Sequence, residues 1–281
     1  MRRLLLVRFI ALLAAALVWA PAIAETVHFR SATAPPTPLQ QRLARERVET
    51  IEQQPGVELS GELYRPAGDG PFPAVVMLHG CNGPFSRSVA DAFGTRFAAL
   101  GYVLLIVDSF GPRDIKQRCF VDVGPSVDRV MDAYGALIYL AEQRSVDPDR
   151  IAVLGYSQGA MVALSAVELN GVSTLFDRRF RTAIAYYPTC DVTVAVAVPT
   201  VILIGELDDW TPARDCRNAV ARRTGEGAPV KLFVYPDAYH GFNFARDKPA
   251  NLYGHHIEYN EAAARAAWAE TVAALRAAFG R

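Results

Sequence analysis

The chain has 281 residues, of which 51% are hydrophobic and 21% are charged, and its 29 basic side chains balance its 29 acidic ones. A chain of this size and composition can bury one substantial core, and no internal repeat or linker divides it into two domains. The absence of excess positive charge argues against nucleic acid as a partner.

The first 24 residues have the pattern of a secretory signal peptide. Two arginines precede an apolar stretch from Leu4 to Ala20 that only Arg8 interrupts, and the small residues after it predict cleavage after Ala24. The apolar core after Arg8 has about a dozen residues, fewer than the ~20 of a membrane-spanning helix, and an uncleaved anchor is the alternative. Cleavage removes three of the 29 basic residues and no acidic one, which leaves 26 against 29 and a net charge near −3. We expect a periplasmic or secreted protein with no stable membrane insertion; the leader does not distinguish these two fates.

The rest of the chain predicts one α/β domain. Residues 25–46 contain three prolines between positions 35 and 38, and we expect an irregular lead-in there, with the domain running from 47 to 281. Antiparallel edge strands are expected at 48–53 and 57–65, and helices at 126–143 and 261–279. Short apolar runs predict further strands at 74–79, 102–108, 150–156, 182–187, 200–205 and 230–235. This alternation is typical of a mainly parallel sheet with helices on both faces.

A serine motif lies between the predicted strand 150–156 and an apolar, helix-like segment. Its residues are Gly155-Tyr156-Ser157-Gln158-Gly159. A serine on such a strand-turn-helix junction exposes its hydroxyl above the sheet, and glycines two residues before and after it avoid a steric clash. Ser157 is therefore the predicted nucleophile. A string of this kind occurs by chance in roughly one chain of this length in ten, so its interpretation depends on groups further along the chain.

The strand 200–205 leads into two adjacent carboxylates, Asp208 and Asp209. Carboxylates at such a strand end face the rim of an open parallel sheet, where ligands bind. We favour Asp208 as the catalytic acid because it lies three residues after Gly205 and four before Pro212. Counting residues in a turn does not exclude Asp209, and the other carboxylate is expected to be a solvated or helix-capping residue.

His240 follows the strand 230–235 and is the predicted general base. It comes 32 positions after Asp208, which completes the chain order of nucleophile, acid and histidine. Its imidazole can take the serine proton and return it to the leaving group, since the unperturbed pKa of histidine lies near 6.5. His255 and His256, in an expected polar loop, have no recognised metal-ligand spacing, so we expect no metal site.

The loop after the strand 74–79 is expected to complete the site. It reads His79-Gly80-Cys81-Asn82-Gly83, and in this architecture it supplies one backbone N–H of the oxyanion hole. We expect the two donors to be the amides of Cys81 and Gln158, with His79 in a structural, hydrogen-bonding role.

Together, the loop HGCNG and the motifs GYSQG, GELDDWTP and YPDAYHGF resemble the dienelactone hydrolase family of α/β-hydrolases. The similarity runs from about residue 57 to the C-terminus, and the last three motifs are the more specific. The resemblance implies a single α/β-hydrolase domain that acts on esters or lactones without a cofactor. It carries the catalytic roles onto Ser157, Asp208 and His240.

The chain departs from the family's namesake at two positions. Ser157 stands where the namesake has a cysteine nucleophile. Phe244 stands where the namesake has an arginine that grips a substrate carboxylate, and the nearest arginine is Arg246. The resemblance therefore does not extend to dienelactone itself as the substrate.

All four cysteines follow the leader, which fits an oxidising compartment. On the expected topology we pair Cys81 with Cys119 and Cys190 with Cys216, so that both bridges tie loops at the catalytic rim. Four buried, reduced thiols are the alternative.

Three further residues are candidates for substrate binding. Arg113 leaves a strand at the same rim and is expected either to bind an anionic substrate group or to pair with a nearby acid. Trp210 and Tyr156 are expected to line the pocket or to pack behind it. No insertion is long enough for a large lid, so we expect a shallow pocket that favours small or polymer-attached esters.

The leading hypothesis is an exported serine hydrolase that cleaves carboxylic esters or lactones through an acyl-enzyme, with a small molecule as its partner. A peptidase or amidase is the alternative enzyme, because the same residues serve amide bonds on this fold. The alternative outside enzymes is a catalytically inactive binding protein. Acyl length, stereochemistry and oligomeric state do not follow from the sequence.

Overall fold

The computed structural model describes residues 24–36, 38–51, 55–120, 127–190 and 195–280. All of the predicted signal peptide except Ala24 lies outside these residues, and its prediction stays untested. No helix in the described part of the chain is both long enough and apolar enough to cross a bilayer.

An eight-stranded sheet organises the molecule, in the order β1-β2-β4-β3-β5-β6-β7-β8. The strands are β1 Glu25–Arg30, β2 Glu58–Tyr64, β3 Phe72–Leu78, β4 Val103–Asp108, β5 Val146–Tyr156, β6 Ala183–Tyr186, β7 Thr200–Gly205 and β8 Val230–Tyr235. β1 and β2 pair antiparallel with their neighbours, and the other six strands are parallel. The predicted mainly parallel sheet is confirmed.

Six α-helices accompany the sheet in the described residues. They are α1 Pro38–Arg47, α2 Arg87–Ala99, α3 Val127–Ala141, α4 Gln158–Ala166, α5 Ala213–Ala221 and α6 Glu261–Phe279. Every residue of β7 is buried. Because successive side chains of a strand point to opposite faces, burial of the whole run means that both faces of the sheet are covered.

The N-terminal segment differs from the prediction of an irregular lead-in over 25–46. Its first six residues form β1, in which Val27 and Phe29 are buried, and α1 begins at Pro38. β1 pairs with β2 from Glu25↔Leu63 to Arg30↔Glu58 and takes the edge position. The edge strand predicted at 48–53 is therefore wrong for residues 48–51, which form no strand, while 52 and 53 lie outside the described residues.

A second difference concerns residues 250–257, which include His255 and His256, the two histidines expected to lie in a polar loop. They form a short antiparallel hairpin of β9 Ala250–Leu252 and β10 His255–Ile257. The two turn residues, Tyr253 and Gly254, both have positive φ, at 55° and 93°. This is the conformation that a two-residue hairpin turn requires.

Both predicted disulfides are present. Cys81–Cys119 joins the loop after β3 to the loop after β4, and Cys190–Cys216 joins the loop after β6 to α5. Two disulfides fit an extracellular or periplasmic protein.

Candidate active site

The candidate site lies at the carboxyl edge of the parallel strands. Leu78 at the end of β3 pairs with Gly155 of β5, and Gly205 at the end of β7 pairs with Tyr235 of β8. Because these strands run in the same direction, the loops that follow them converge at one edge. Those are the loops that contain the predicted functional residues.

Ser157 occupies a sharp turn between β5 and α4. Its backbone has φ 52° and ψ −119°, a left-handed conformation that is strained by about 1–3 kcal/mol for a residue with a side chain. The Ser157 amide donates to the Tyr186 carbonyl at 2.9 Å, which holds the turn on the sheet. A Cβ on Gly155 would lie 2.0 Å from the Gly159 carbonyl oxygen, so glycine is required at this crossing.

A hydrogen-bonded series connects Ser157 with the two other predicted residues. His240 Nε2 lies 3.1 Å from Ser157 Oγ, and His240 Nδ1 lies 2.8 Å from Asp208 Oδ2. Both His240 and Asp208 are buried, at 5% and 4% exposure. Since Nδ1 donates to a carboxylate, Nε2 is left to accept the serine proton.

Asp208 is held in place by the turn that follows it. Its Oδ1 accepts the amides of Trp210 and Thr211 at 3.0 and 2.8 Å, which leaves Oδ2 for His240. Asp209 binds elsewhere: its carboxylate accepts the His256 amide at 3.2 Å and lies 3.7 Å from His255 Nδ1. The geometry therefore selects Asp208 over Asp209 as the partner of His240.

Thr211 and Tyr187 belong to this site, and the sequence analysis did not find them. The Thr211 hydroxyl is buried, 3.0 Å from Asp208 Oδ2 and 3.1 Å from the Tyr187 carbonyl oxygen. The Tyr187 ring lies 4.5 Å from the His240 ring, and its hydroxyl donates to Asn243 Oδ1 at 2.8 Å. The position of Thr211, three residues after an aspartate in a turn, is the signal that could have identified it.

The two predicted oxyanion donors are available. Neither the Cys81 amide nor the Gln158 amide has an acceptor within the described part of the chain. A Cβ on Gly80 would lie 3.5 Å from Ser157 Cβ, so the loop that contains Cys81 runs beside the serine. Two free amides, one on the residue after Ser157 and one in the neighbouring loop, are the kind of donors that an oxyanion hole requires.

His79 has the structural role that its position predicts. Its Nε2 accepts the Ser109 amide at 3.3 Å, and its Nδ1 lies 2.7 Å from the Gly80 carbonyl oxygen, to which it donates. Complete burial and the neighbouring Arg129 lower the pKa of His79 to about 3. A neutral His79 therefore fixes the start of the loop 79–83 at neutral pH.

A cavity of about 230 Å³ opens beside Ser157 and His240. The predicted Tyr156 and Trp210 both line it, as do Phe85, Val89, Phe244, Leu252 and Ile257. The last two belong to the β9–β10 hairpin, and Ile257 forms a β-bridge with His240. The hairpin thus supplies one wall of a pocket that the sequence predicted to be shallow.

Arg113 does not line the cavity, so it does not bind a substrate group there; the alternative expectation, that it pairs with a nearby acid, is confirmed. Its guanidinium donates twice to Asp132, at 2.8 Å each, and once to the Ser109 carbonyl at 2.7 Å. Asp132 is fully buried and needs a cation beside it. Among the described residues, the arginine that lines the cavity is the exposed Arg246.

Sequence comparisons find a family profile and several relatives. The profile described as the dienelactone hydrolase family matches residues 59–279. The quorum-quenching protein AidA of Acinetobacter baumannii (strain MDR-ZJ06) is 27% identical over 194 residues, which cover 66% of this chain and 60% of that relative. A probable 2-oxo-3-(5-oxofuran-2-ylidene)propanoate lactonase of Bradyrhizobium sp is 25% identical over 231 residues, which cover 76% of this chain and 87% of that relative.

A solved structure shares the fold. A dienelactone hydrolase-like promiscuous phosphotriesterase from metagenomic libraries superposes with a TM-score of 0.65 at 16% identity, over 92% of this chain and 99% of that one. At this identity the likeness shows the α/β-hydrolase fold alone.

Proposed function

Because the chain belongs to the dienelactone hydrolase family, we propose that it is an exported serine hydrolase that cleaves carboxylic esters or lactones. The observation that carries this proposal is the series of two hydrogen bonds from Ser157 Oγ through His240 to Asp208, at 3.1 and 2.8 Å. The available amides of Cys81 and Gln158 support it, because an acyl transfer generates an oxyanion.

The proposed reaction has two halves. Ser157 Oγ attacks the ester carbonyl while His240 Nε2 takes its proton, and the amides of Cys81 and Gln158 bind the tetrahedral oxyanion. The intermediate collapses to an acyl-enzyme as the imidazolium gives its proton to the leaving alcohol. A water molecule, deprotonated by His240, then releases the carboxylic acid and restores the Ser157 hydroxyl.

The cavity favours a compact substrate. Its volume of about 230 Å³ lies below the ~300–1,000 Å³ of drug-sized ligand sites, and its walls are mainly aromatic and aliphatic. Short acyl esters and small lactones satisfy both conditions. The relative named as a probable lactonase supports including lactones.

Export is the second part of the proposal. The two disulfides support it, and so does the coincidence of the predicted cleavage point with the start of β1 at Glu25. Intact-mass measurement of protein from the periplasm and the medium should find a chain that begins at Glu25. A mass that retains the first 24 residues would contradict cleavage.

The test of catalysis compares the wild type with Ser157→Ala. We expect hydrolysis of p-nitrophenyl acetate and butyrate and of small lactones by the wild type, and its loss in the variant without loss of folding. A fluorophosphonate probe should add to Ser157 alone, as peptide mapping would show. The matched control is Ser165→Ala, on the same helix α4, which should keep full activity.

The alternatives have different outcomes in the same panel. Cleavage of short peptide amides in preference to esters would favour the peptidase or amidase. A folded wild type that neither hydrolyses any substrate nor reacts with the probe would favour an inactive binding protein.

A further inference from the structure

Arg129 is a buried cation that the proposed reaction does not yet use. It lies on α3 with 3% exposure, and its guanidinium bonds two uncharged acceptors. Nη1 donates to Gln158 Oε1 at 2.7 Å, and Nη2 donates to the His79 carbonyl at 2.7 Å. The Arg129 guanidinium carbon also lies 4.9 Å from the centre of the Phe110 ring.

The two acceptors belong to the two segments that form the proposed oxyanion hole. Gln158 directly follows Ser157 and supplies one amide, while His79 precedes Cys81, which supplies the other, by two residues. These segments are almost eighty positions apart in the chain, and one planar guanidinium joins them. Arginine suits this position because its donors form a rigid fork, whereas a lysine ammonium has no fixed geometry.

Arg129 also contributes positive charge close to the hole. The acid that interacts most strongly with it, Asp132, already accepts two hydrogen bonds from Arg113. The cluster of Arg113, Asp132 and Arg129 therefore carries one net positive charge, with Arg118 and Asp108 as its other charged neighbours. Burial lowers the pKa of Arg129 to about 10, which leaves it charged at neutral pH.

A purely structural role accounts poorly for this arrangement. Burying a cation costs several kcal/mol, and a carboxylate is the usual partner that offsets the cost. Arg129 instead donates from its two Nη atoms to a side-chain amide oxygen and a backbone carbonyl oxygen. Its Nε has no hydrogen-bond partner within the described residues. A positive charge in this position would stabilise a negative charge that develops in the neighbouring oxyanion hole during the reaction.

We propose that Arg129 is a positioning residue that fixes the two amides of the oxyanion hole and favours the anion formed there. The inference rests on the proposed ester hydrolysis. It predicts that loss of Arg129 raises the barrier of the chemical step and leaves substrate binding nearly unchanged, because the oxyanion exists only in the tetrahedral state.

The test uses Arg129→Met, Arg129→Lys and, as matched control, Arg265→Met on the exposed side of α6. Rates are divided by the concentration of sites that the fluorophosphonate probe titrates to completion, so an unfolded fraction does not count. We expect kcat to fall on the order of 10²-fold in Arg129→Met, the size of losing one oxyanion donor, with KM within about twofold. Arg129→Lys, which keeps the charge, should be intermediate, and Arg265→Met should match the wild type.

A transition-state analogue separates positioning from folding. Phenylboronic acid forms a tetrahedral anion on a catalytic serine, so its affinity should fall in parallel with kcat in the Arg129 variants. Gln158→Met removes one acceptor from the other side, and its effect should be less than additive with Arg129→Lys. This double-mutant cycle of Gln158→Met and Arg129→Lys tests the positioning role even if Arg129→Met does not fold.

Two results would overturn the inference in different ways. If the wild type hydrolyses esters and the folded Arg129 variants keep kcat and boronate affinity within about twofold, the positioning role is wrong and the proposed function stands. If the wild type hydrolyses neither esters nor lactones, both the positioning role and the proposed function are wrong.

Discussion

Asp208 and Asp209 are neighbours in the chain, but their carboxylates bind different parts of the molecule. Asp208 Oδ2 lies 2.8 Å from His240 Nδ1, whereas Asp209 accepts the backbone amide of His256 at 3.2 Å. One residue belongs to the series that ends at Ser157, and the other anchors the hairpin that walls the cavity.

The two carboxylates should therefore respond differently to the same substitution. Asp208→Asn removes the charge that stabilises the imidazolium and lets His240 adopt the wrong tautomer, so kcat should fall on the order of 10⁴-fold, as in the equivalent change in serine proteases. Asp209→Asn keeps an oxygen that can accept the hydrogen bond from the His256 amide. Its kcat should therefore fall by less than about threefold. Steady-state kinetics with p-nitrophenyl acetate measure both, and a larger loss in Asp209→Asn would refute the assignment of the acid.

Gly155→Ala should disrupt the turn that presents Ser157. The new Cβ would lie 2.0 Å from the Gly159 carbonyl oxygen, a backbone atom that cannot move without displacing the start of α4. We expect the free energy of unfolding to fall by about 2 kcal/mol or more, together with loss of ester hydrolysis.

The matched control for this change is Gly80→Ala, in which the nearest atoms lie at 3.5 Å, an ordinary contact distance. Its free energy of unfolding, measured by urea denaturation, should stay within about 0.5 kcal/mol of the wild type. Equal stability of the Gly155 and Gly80 variants would contradict the steric argument.

His79 should make the stability of the protein depend on pH. Its folded pKa of about 3 lies below the ordinary value of 6.5, so between these limits the unfolded chain binds a proton that the folded protein excludes. The stabilisation is complete above pH 6.5 and declines as pH falls, by about 1.4 kcal/mol per pH unit from this group.

Urea denaturation of the wild type and His79→Gln at several pH values isolates this contribution. The two unfolding free energies should differ by a constant amount above pH 7.5. Below pH 6 the wild type should lose stability more steeply than the variant. Parallel curves down to pH 4.5 would show that His79 is not the group responsible.

Removing the Cys190–Cys216 disulfide should lower stability and preserve the chemistry. The bridge closes a loop over a sequence separation of 26, for which loss of chain entropy predicts about 3.5 kcal/mol. Replacing both cysteines by alanine should lower the free energy of unfolding by this amount while kcat per titrated site stays near the wild-type value. Removing Cys81–Cys119 should reduce kcat as well, because Cys81 lies in the proposed oxyanion loop.

A proteolytic digest without reductant provides the direct check. The Cys190 peptide should be linked to the Cys216 peptide, and the Cys81 peptide to the Cys119 peptide. Any other linkage would contradict the structure.

Much of the fold follows from short stretches of sequence. The apolar runs of β3, β4, β6 and β7 mark a parallel sheet because strands covered on both faces tolerate few polar residues. The serine turn is equally local, since Gly155, Ser157 and Gly159 are all that its backbone geometry requires. Ser157, Asp208 and His240 each follow a predicted strand, so local patterns were enough to predict their order from the sequence.

Other features depend on contacts between distant residues. β1 is a strand because it pairs with β2, whose partner residues lie 28 to 38 positions further along the chain, although the prolines after β1 indicated irregular structure. Arg113 binds Asp132 instead of facing the cavity, and the hairpin reaches the cavity because Ile257 bridges to His240. No local pattern encodes these partners.

The sequence by itself determined the class of fold and the turn that carries Ser157, the proposed nucleophile, because periodicity and turn residues act over a few positions. Only the tertiary structure decided between Asp208 and Asp209, where one residue along a turn rotates the carboxylate toward a different partner. It also placed Arg129 between Gln158 and His79. A buried guanidinium finds its acceptors in three dimensions, where segments far apart in the chain meet.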